Sequence, residues 1–324
     1  MSAADLSVVI VSWNVRDLLR DCLRSLGDTC DDLDVELVVV DNAGADGSVE
    51  MVRREFPGVR LLALEKNVGY AGANNRGIEA STGRNLLALN PDVLIMPGAL
   101  KTIVEKLDAE PRVAAVGPAN LDEDEHVRPS ARRFPTMTAM LYQHTLLRLV
   151  PPLKDHYRDY KMRRFGWDRE LAVDQPVGAA LAVKRSVLEE VGRWDEGFFM
   201  YFEEVDLCRR IKERGWEVLF LPQARIVHLG GRSTAQVRSK KQMMIFRSMF
   251  RYFDKHEGRV KAQLFRWTFK GLYIVTMLLR LPVDAATATV QALVGRLGRA
   301  RRTVAAMRES LLFLVRDVWG FLWM

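Results

Sequence analysis

Five short apolar runs, set among helical patterns in the first 120 residues, leave this chain few folds to choose from. β-Branched stretches predict strands at Leu6 to Val11, Val35 to Val40, Val59 to Leu64, Asn85 to Leu89 and Val113 to Val116. Between them, helices are predicted over Arg16 to Leu26, Ser48 to Glu55, Ala71 to Ala80 and Pro97 to Asp108, with Ser48 and Pro97 in good starting positions. Strands alternating with helices make an α/β fold, a mostly parallel central sheet with flanking helices. Ligands then bind in loops at the strands' carboxyl ends, which here are rich in Asp, Asn and Gly. No GxGxxG follows the first strand, so a dinucleotide fingerprint is absent.

The fourth run, Leu86-Leu87-Ala88-Leu89, stops at Asn90-Pro91-Asp92. Pro91 has no N–H and a fixed φ, so the chain must turn there and present Asn90 and Asp92 at the sheet edge. Asp92 is then a candidate metal ligand; the other reading is a capped turn before the helix that Pro97 opens. After the second strand, Asp41 can accept hydrogen bonds from a base or ribose, or simply cap a polar turn. The third strand leads into Glu65 to Gly77, whose glycine-spaced helix entry suits a diphosphate or, alternatively, close helix packing.

Three carboxylates, Glu203, Glu204 and Asp206, follow the aromatic stretch Phe198 to Phe202. One of them, desolvated and raised in pKa, would suit a general base; crowding of acids in a helix first turn is the alternative. His228 closes the apolar run Ile226-Val227-His228 and could join Asp92 at a metal or serve as a structural histidine. The segment from Leu121 to Asp174 starts acidic, turns basic and aromatic, and reads as an insertion over the site. Regular patterning resumes at Gln175 to Val183, with a helix from Arg185 to Val191, a turn at Gly192 to Gly197, the Phe198 to Arg214 stretch, and a strand pair at Glu217 to Phe220 and Arg225 to His228.

Charge divides the chain. From Arg232 to the end lie 18 of the 48 Lys and Arg but only 5 of the 41 Asp and Glu, a net +13, which leaves 30 and 36, a net −6, for the rest. The basic tail also carries Phe246, Phe250, Phe265, Trp267, Tyr273, Phe313, Trp319 and Trp323, a composition suited to a membrane surface. Lys270 and Arg280 bracket the apolar Leu272 to Leu279 stretch, so it is expected to lie on a bilayer and not to cross it. The alternative is a helical appendage packed on the main domain or on a second subunit of a homo-oligomer; nucleic acid is not expected as a partner. Cys22, Cys30 and Cys208 lack CxxC spacing, and the first apolar run follows an acidic Asp5 without a basic leader. A cytoplasmic protein is expected, peripheral at the inner face of the cell membrane.

Taken in order, VVIVSWN, VVVDNAGADGS, KNVGYAGANNRGI, LLALNPDV, FFMYFEEVDLCRRI and VHLGG resemble the motifs of family 2 glycosyltransferases, most nearly the bacterial rhamnosyltransferase branch, over about Leu6 to Thr234. The resemblance implies a GT-A, Rossmann-like catalytic domain over 1–234, with 121–174 inserted on the acceptor side and 235–324 as a helical membrane-associating region. It implies a nucleotide-sugar donor such as dTDP-rhamnose, a divalent cation (Mg²⁺ or Mn²⁺), inversion at the anomeric carbon, and a saccharide or polyprenyl-diphosphate-linked acceptor in cell-envelope polysaccharide synthesis. By the same resemblance, Ser12, Asn14, Asp41, Asn67, Gly69, Asn74 and Asn90 face the nucleotide sugar, and Asp92 and His228 hold the metal. Glu204 is then the catalytic base, with Glu203 and Asp206 supporting it.

Two departures stand out. Asn90 replaces the first Asp of the family's Asp-x-Asp, and Glu204 replaces the second residue of a pair that usually reads Glu-Asp. A rival reading follows from them, a catalytically silent nucleotide-sugar-binding scaffold at the membrane.

Overall fold

β1 (Leu6–Ser12) is buried at every position, as a strand covered on both faces must be. Leu6, Val8 and Ile10 point into one apolar core and Val9 and Val11 into the other, the period-2 alternation of a strand. The computed structural model describes residues 4–29, 32–229 and 238–324, with side chains from residue 241 in the last of these segments. Cys30, Gly230-Gly231 and the boundary expected at Thr234 lie outside the described residues.

Around β1 the sheet is parallel: β2 (Val35–Asp41) pairs on one side, β4 (Asn85–Leu89) on the other, and β3 (Arg60–Ala63) extends the set past β2. Beyond β4 it becomes mixed. β10 (Ala180–Lys184) runs antiparallel to β4 and to β6 (Val113–Leu121), β11 (Glu217–His228) parallel to β6, and β5 (Val93–Ile95) antiparallel to β11. The order is β3-β2-β1-β4-β10-β6-β11-β5, with β8 (Leu171–Ala172) also on β11, and a separate ribbon joins β7 (Ala131–Arg132) to β9 (Gln175–Pro176). Chain order reverses beside β1, which opens a crevice at the carboxyl ends of β1, β2 and β4.

One face is covered by α1 (Arg16–Gly27), α2 (Ser48–Glu55) and α4 (Ala99–Ala109), the other by α3 (Gly69–Glu79), α7 (Arg185–Val191) and α8 (Glu203–Glu213). Helix α1 shows why: Leu19, Cys22, Leu23 and Leu26 recur at helical spacing and all are buried, each large apolar side chain contributing roughly 2 kcal/mol.

Several sequence expectations are corrected. Pro97 does not open α4; Gly98, at φ +77°, turns the chain and the helix begins at Ala99. The turn at Pro91 is followed by a three-residue strand, β5, which the proline obscured. The expected strand pair after Glu217 is the single strand β11, bent by register shifts between Leu221 and Arg225 where Pro222 interrupts the ladder.

The chain forms two compact units, Met1–Phe134 with Lys161–Arg238, and Pro135–Tyr160 with Ser239–Met324. Residues 135–160, inside the stretch expected as an insertion, thus group with the C-terminal helices and carry α5 (Met137–His144) and α6 (Leu153–Tyr160). In this second unit the helices Arg238–His256, Arg259–Leu293, Leu297–Leu312 and Val318–Trp323 enclose an aromatic core. The Phe246 ring lies 5.0 Å from Phe269, 4.8 Å from Tyr273 and 5.5 Å from Phe321, edge-to-face or tilted contacts of about 1 kcal/mol each beyond burial. Buried Lys270 donates to the Leu322 carbonyl (2.9 Å), satisfying an orphan acceptor in the last helix.

The Arg259–Leu293 helix is longer in apolar character than its bracketing charges suggested. Its most apolar 18 residues have a mean hydropathy of 1.3 and are only 17% buried, so by length and composition it could cross a membrane. Arg280 within it lies 3.8 Å from Asp284, one turn on.

Candidate functional site

At the crevice, Ser12 and Asp41 stand side by side as the last register pair of β1 and β2. Asp41 Oδ2 accepts from the Gly44 N–H (2.9 Å), while Asp41 Oδ1 and Ser12 Oγ are buried with no hydrogen-bond partner among the described residues. Such orphans are costly unless a ligand meets them. Burial pushes the Asp41 carboxyl up against the Gly44 N–H, which favours the ion. Asn14, in the left-handed region at φ 54°, accepts from the Ala45 N–H (2.7 Å) and so ties the β1 loop to the β2 loop.

Asn42, which the sequence reading passed over, joins this corner to α3. It donates to Asn67 Oδ1 (3.1 Å) and the Gly69 carbonyl (3.1 Å) and accepts from the Val68 N–H (2.9 Å). Asn67 Oδ1 also accepts from the Gly69 N–H (3.0 Å). Gly69 itself could be nothing else: at φ +80° a Cβ would lie 2.4 Å from the Phe199 carbonyl oxygen, which already accepts from the Tyr70 N–H (2.7 Å). One turn into α3, Asn74 donates to the Tyr70 carbonyl (2.9 Å).

Beyond β4, the Asn90 N–H donates to the Ala179 carbonyl (2.9 Å), and its half-buried side chain stays at the strand end. Asp92 is 3% exposed. The Asp92 carbonyl accepts from Leu229 N–H (3.0 Å), and pairing of Val93 with His228 brings His228 Nε2 to 3.5 Å from Asp92 Oδ1. That oxygen is buried and makes no hydrogen bond among the described residues. One orphaned carboxylate oxygen beside one imidazole nitrogen fits a hard divalent cation that takes its remaining ligands from a bound diphosphate. The three-ligand cluster among the described residues, Asp122, Asp124 and His126, lies elsewhere on a turn after β6. Its Asp122 Oδ1 is engaged by the Asp124 and His126 amides (3.1 and 2.8 Å) and Oδ2 by Arg128 (2.9 Å).

The carboxylate pair sits on unusual backbone. Tyr201 and Phe202 both adopt left-handed φ (69° and 68°), a conformation that costs bulky residues energy and is held here by its surroundings. It delivers Glu203 and Glu204 to the start of α8, where Oε2 of each is buried without a hydrogen-bond partner among the described residues. Burial, and then the charge of Glu204, push the Glu203 carboxyl well above the carboxylate range. Burial raises Glu204 too, but its own backbone N–H, Arg132 and the Val205 N–H favour its ionised form. Both carboxyls are thus raised, Glu203 with the added repulsion of Glu204 and Glu204 with nearby donors and a guanidinium that favour its ion.

Gly178 presses on this pair, since a Cβ there would lie 3.2 Å from the Glu204 carboxyl. Tyr70 joins the parts of the site. Its buried hydroxyl is pushed up by burial and then by the charges of Glu203, Glu204 and Asp92, which act on it together. Asp206, expected to support acceptor or base, is fully buried and accepts from Arg210 Nε (2.8 Å). Arg210 also donates to the carbonyls of Val191, Gly192 and Arg193 at 2.6–2.7 Å. Asp206 thus anchors α8, and i,i+4 spacing from Arg210 was the signal for it. Gly178 and Tyr70 gave no comparable signal, because their roles come from close approach across the fold.

Residues 7–172 match the family described as Glycosyl transferase family 2. An N-acetylglucosaminyl-diphospho-decaprenol L-rhamnosyltransferase of Mycobacterium tuberculosis is 31% identical over 279 residues, covering 82% of this chain and 89% of that protein. Rhamnosyltransferase WbbL of Escherichia coli is 22% identical over 258 residues, covering 76% of this chain and 92% of its own. Among solved structures, the mannosyltransferase PcManGT of Pyrobaculum calidifontis, in complex with GDP-Man and Mn²⁺, superposes with a TM-score of 0.55 at 19% identity, covering 99% of this chain and 84% of that one. GalNAc-T7 with UDP, GalNAc and Mn²⁺ gives 0.53 at 18% identity, covering 70% and 44%. These likenesses establish the GT-A fold.

Proposed function

The chain belongs to glycosyl transferase family 2, and on that premise we propose that it moves a sugar, rhamnose from dTDP-rhamnose, onto a polyprenyl-diphosphate-linked saccharide with inversion at the anomeric carbon. The observation that carries the chemistry is the Glu203–Glu204 pair, each with a buried Oε2 that has no hydrogen-bond partner among the described residues, and with the charge of Glu204 acting on Glu203. A hydroxyl of the acceptor attacks the anomeric carbon, the bond from that carbon to the diphosphate oxygen breaks, and Glu204 takes the hydroxyl proton. Glu203, protonated, donates a hydrogen bond beside it and keeps a second negative charge out of the pocket.

Ser12, Asn14 and Asp41 hold the nucleoside, and the Asn67–Asn74 stretch with Asn90 flanks the diphosphate and sugar. Asp92 and His228 would hold Mg²⁺ or Mn²⁺, which when bound neutralises charge on the departing nucleoside diphosphate. The oxygen set that Asn90 and Glu204 preserve favours an active transferase over a silent scaffold.

A lipid-linked acceptor is supported from the other end of the chain. Leu297, Val304, Leu311, Val315, Trp319 and Trp323 are exposed, interleaved with exposed Arg296, Arg299, Arg301, Arg302 and Arg308. So much guanidinium would be expensive inside a bilayer and is favourable at an anionic surface, so these helices lie along the cytoplasmic face of the membrane. The test is a screen of nucleotide sugars against a lipid-linked acceptor, with and without Mg²⁺ or Mn²⁺. Rhamnosyl transfer supports the reading, and turnover with another donor only, or undiminished by chelation, overturns the donor or metal assignment.

A further inference from the structure

Near the carboxyl end of β11 lies a cavity of about 450 Å³ that none of the donor or metal residues lines; its walls are Val127, Trp167, Asp168, Pro222, Gln223 and Arg225. Three segments build it. The first is the bend in β11. Leu221 pairs with Pro118 and Arg225 with the next residue, Ala119, so Pro222, Gln223 and Ala224 are extra on β11 and bulge out of the ladder. Bulges re-aim side chains, and this one leaves Gln223 and Arg225 exposed while Ala224 is fully buried. The second segment is the turn after β6, where Val127 bridges back to Leu121 and Asp122 Oδ1 holds the Asp124 and His126 amides (3.1 and 2.8 Å). The third is the run into β8, where the Trp167 ring stands edge-on to buried Phe220 at 5.3 Å and Leu171 pairs with Phe220. All three walls are tied to the sheet, so the cavity is preformed.

The lining narrows the ligand. The Asp168 carboxylate accepts hydrogen bonds, the Arg225 guanidinium donates them, and the Gln223 carboxamide does both. Among the described residues, none of these three side chains makes a hydrogen bond or an ion pair, so Asp168 and Arg225 line one cavity without pairing with each other. Their charges cancel, which gives a phosphate no net attraction, and charged heads of both signs are costly against hydrocarbon. A hydroxylated ring suits them better, because each hydroxyl both donates and accepts, and the C–H face of a pyranose packs on an indole.

Position points the same way. Arg225 precedes His228 by three residues, about 10 Å along the strand, and His228 stands beside Asp92. Four strand spacings, about 19 Å, separate β11 from β1, where Ser12 meets Asp41. Resting on the reading of the chain as a transferase to a lipid-linked saccharide, we infer that this cavity binds a neutral sugar ring of the acceptor, stacked on Trp167 and bonded through its hydroxyls to Asp168, Gln223 and Arg225. The acceptor then lies along β11 beside His228, and the nucleoside lies across the sheet at β1.

The probes are methyl N-acetylglucosaminide, methyl rhamnoside and methyl mannoside, titrated into the full-length chain with dTDP and Mg²⁺ present and followed by saturation-transfer NMR. At least one should bind saturably, and Asp168→Ala with Arg225→Ala should weaken it by about tenfold or more while dTDP affinity keeps its parent value. Both side chains are exposed and unpaired among the described residues, so their removal leaves the fold in place. Trp167→Phe should retain most of the affinity that Trp167→Ala loses. In transfer assays the double variant should raise the acceptor KM by the same factor and leave the donor KM unchanged. No saturable glycoside binding in the parent, equal affinity in the double variant, or an equal loss of dTDP binding overturns the site. Glycoside binding that depends on these residues, with no transfer by the parent to any lipid-linked saccharide, keeps the sugar site and removes the transferase reading instead.

Discussion

Gly178 and Glu204 are packed so that a Cβ on residue 178 would lie 3.2 Å from the Glu204 carboxyl, tighter than ordinary contact. Gly178→Ala must therefore push the base aside by a few tenths of an ångström. Because catalysis is steep in position, kcat should fall on the order of tenfold while donor KM stays at its parent value. Steady-state kinetics check this, and an unchanged kcat would show that the Glu204 position is not critical.

Glu203 links the site to stability. Its carboxyl is raised above the ordinary 4.5 by burial and by Glu204, so the folded chain keeps a proton that the unfolded chain releases. The stabilisation is complete below about 4.5 and is lost as pH rises through the folded value. Glu203→Gln is neutral at every pH. Its Tm advantage over the parent should be flat below pH 4.5 and grow above it; parallel Tm profiles would contradict the assignment.

Asp92 and His228 should be separable from the base by metal binding. In the parent chain Mn²⁺ with dTDP should raise the Tm, by linkage worth about 2.7 kcal/mol when the ligand is at a hundred times its Kd. Asp92→Ala should abolish the Mn²⁺-dependent part and His228→Ala reduce it. A full Mn²⁺ shift in Asp92→Ala would place the cation elsewhere.

The exposed arginines of the Leu297–Leu312 helix predict a charge-dependent membrane affinity. Replacing Arg299, Arg301 and Arg302 with Gln should cost on the order of 3 kcal/mol, roughly a hundredfold, in cosedimentation with anionic vesicles, and little with zwitterionic ones. Salt-sensitive binding to RNA with none to vesicles would reverse the interpretation.

The parallel half of the sheet and its helices were legible because β-branched runs and helical periods mark them directly, and Asn90-Pro91-Asp92 because a proline ends a strand where it stands. The mixed half was harder to read. β11 hid as two strands because Pro222 and a bulge break its pattern, and β5 was too short to announce itself. Asp92 and His228 were each visible, but their 3.5 Å approach depends on antiparallel pairing of β5 with β11, which no local spacing encodes. The Asp206–Arg210 pair within α8 follows from i,i+4 spacing, whereas the support of the base expected of Asp206 came from the family resemblance alone.

The most direct test of the account is Glu204→Gln, assayed for sugar transfer and for donor binding in the same preparation. Transfer should drop roughly 10²- to 10⁴-fold, with the affinity for dTDP and Mg²⁺ kept, because only the proton acceptor has been removed. Transfer at the parent rate would contradict the account and take the base away from Glu204.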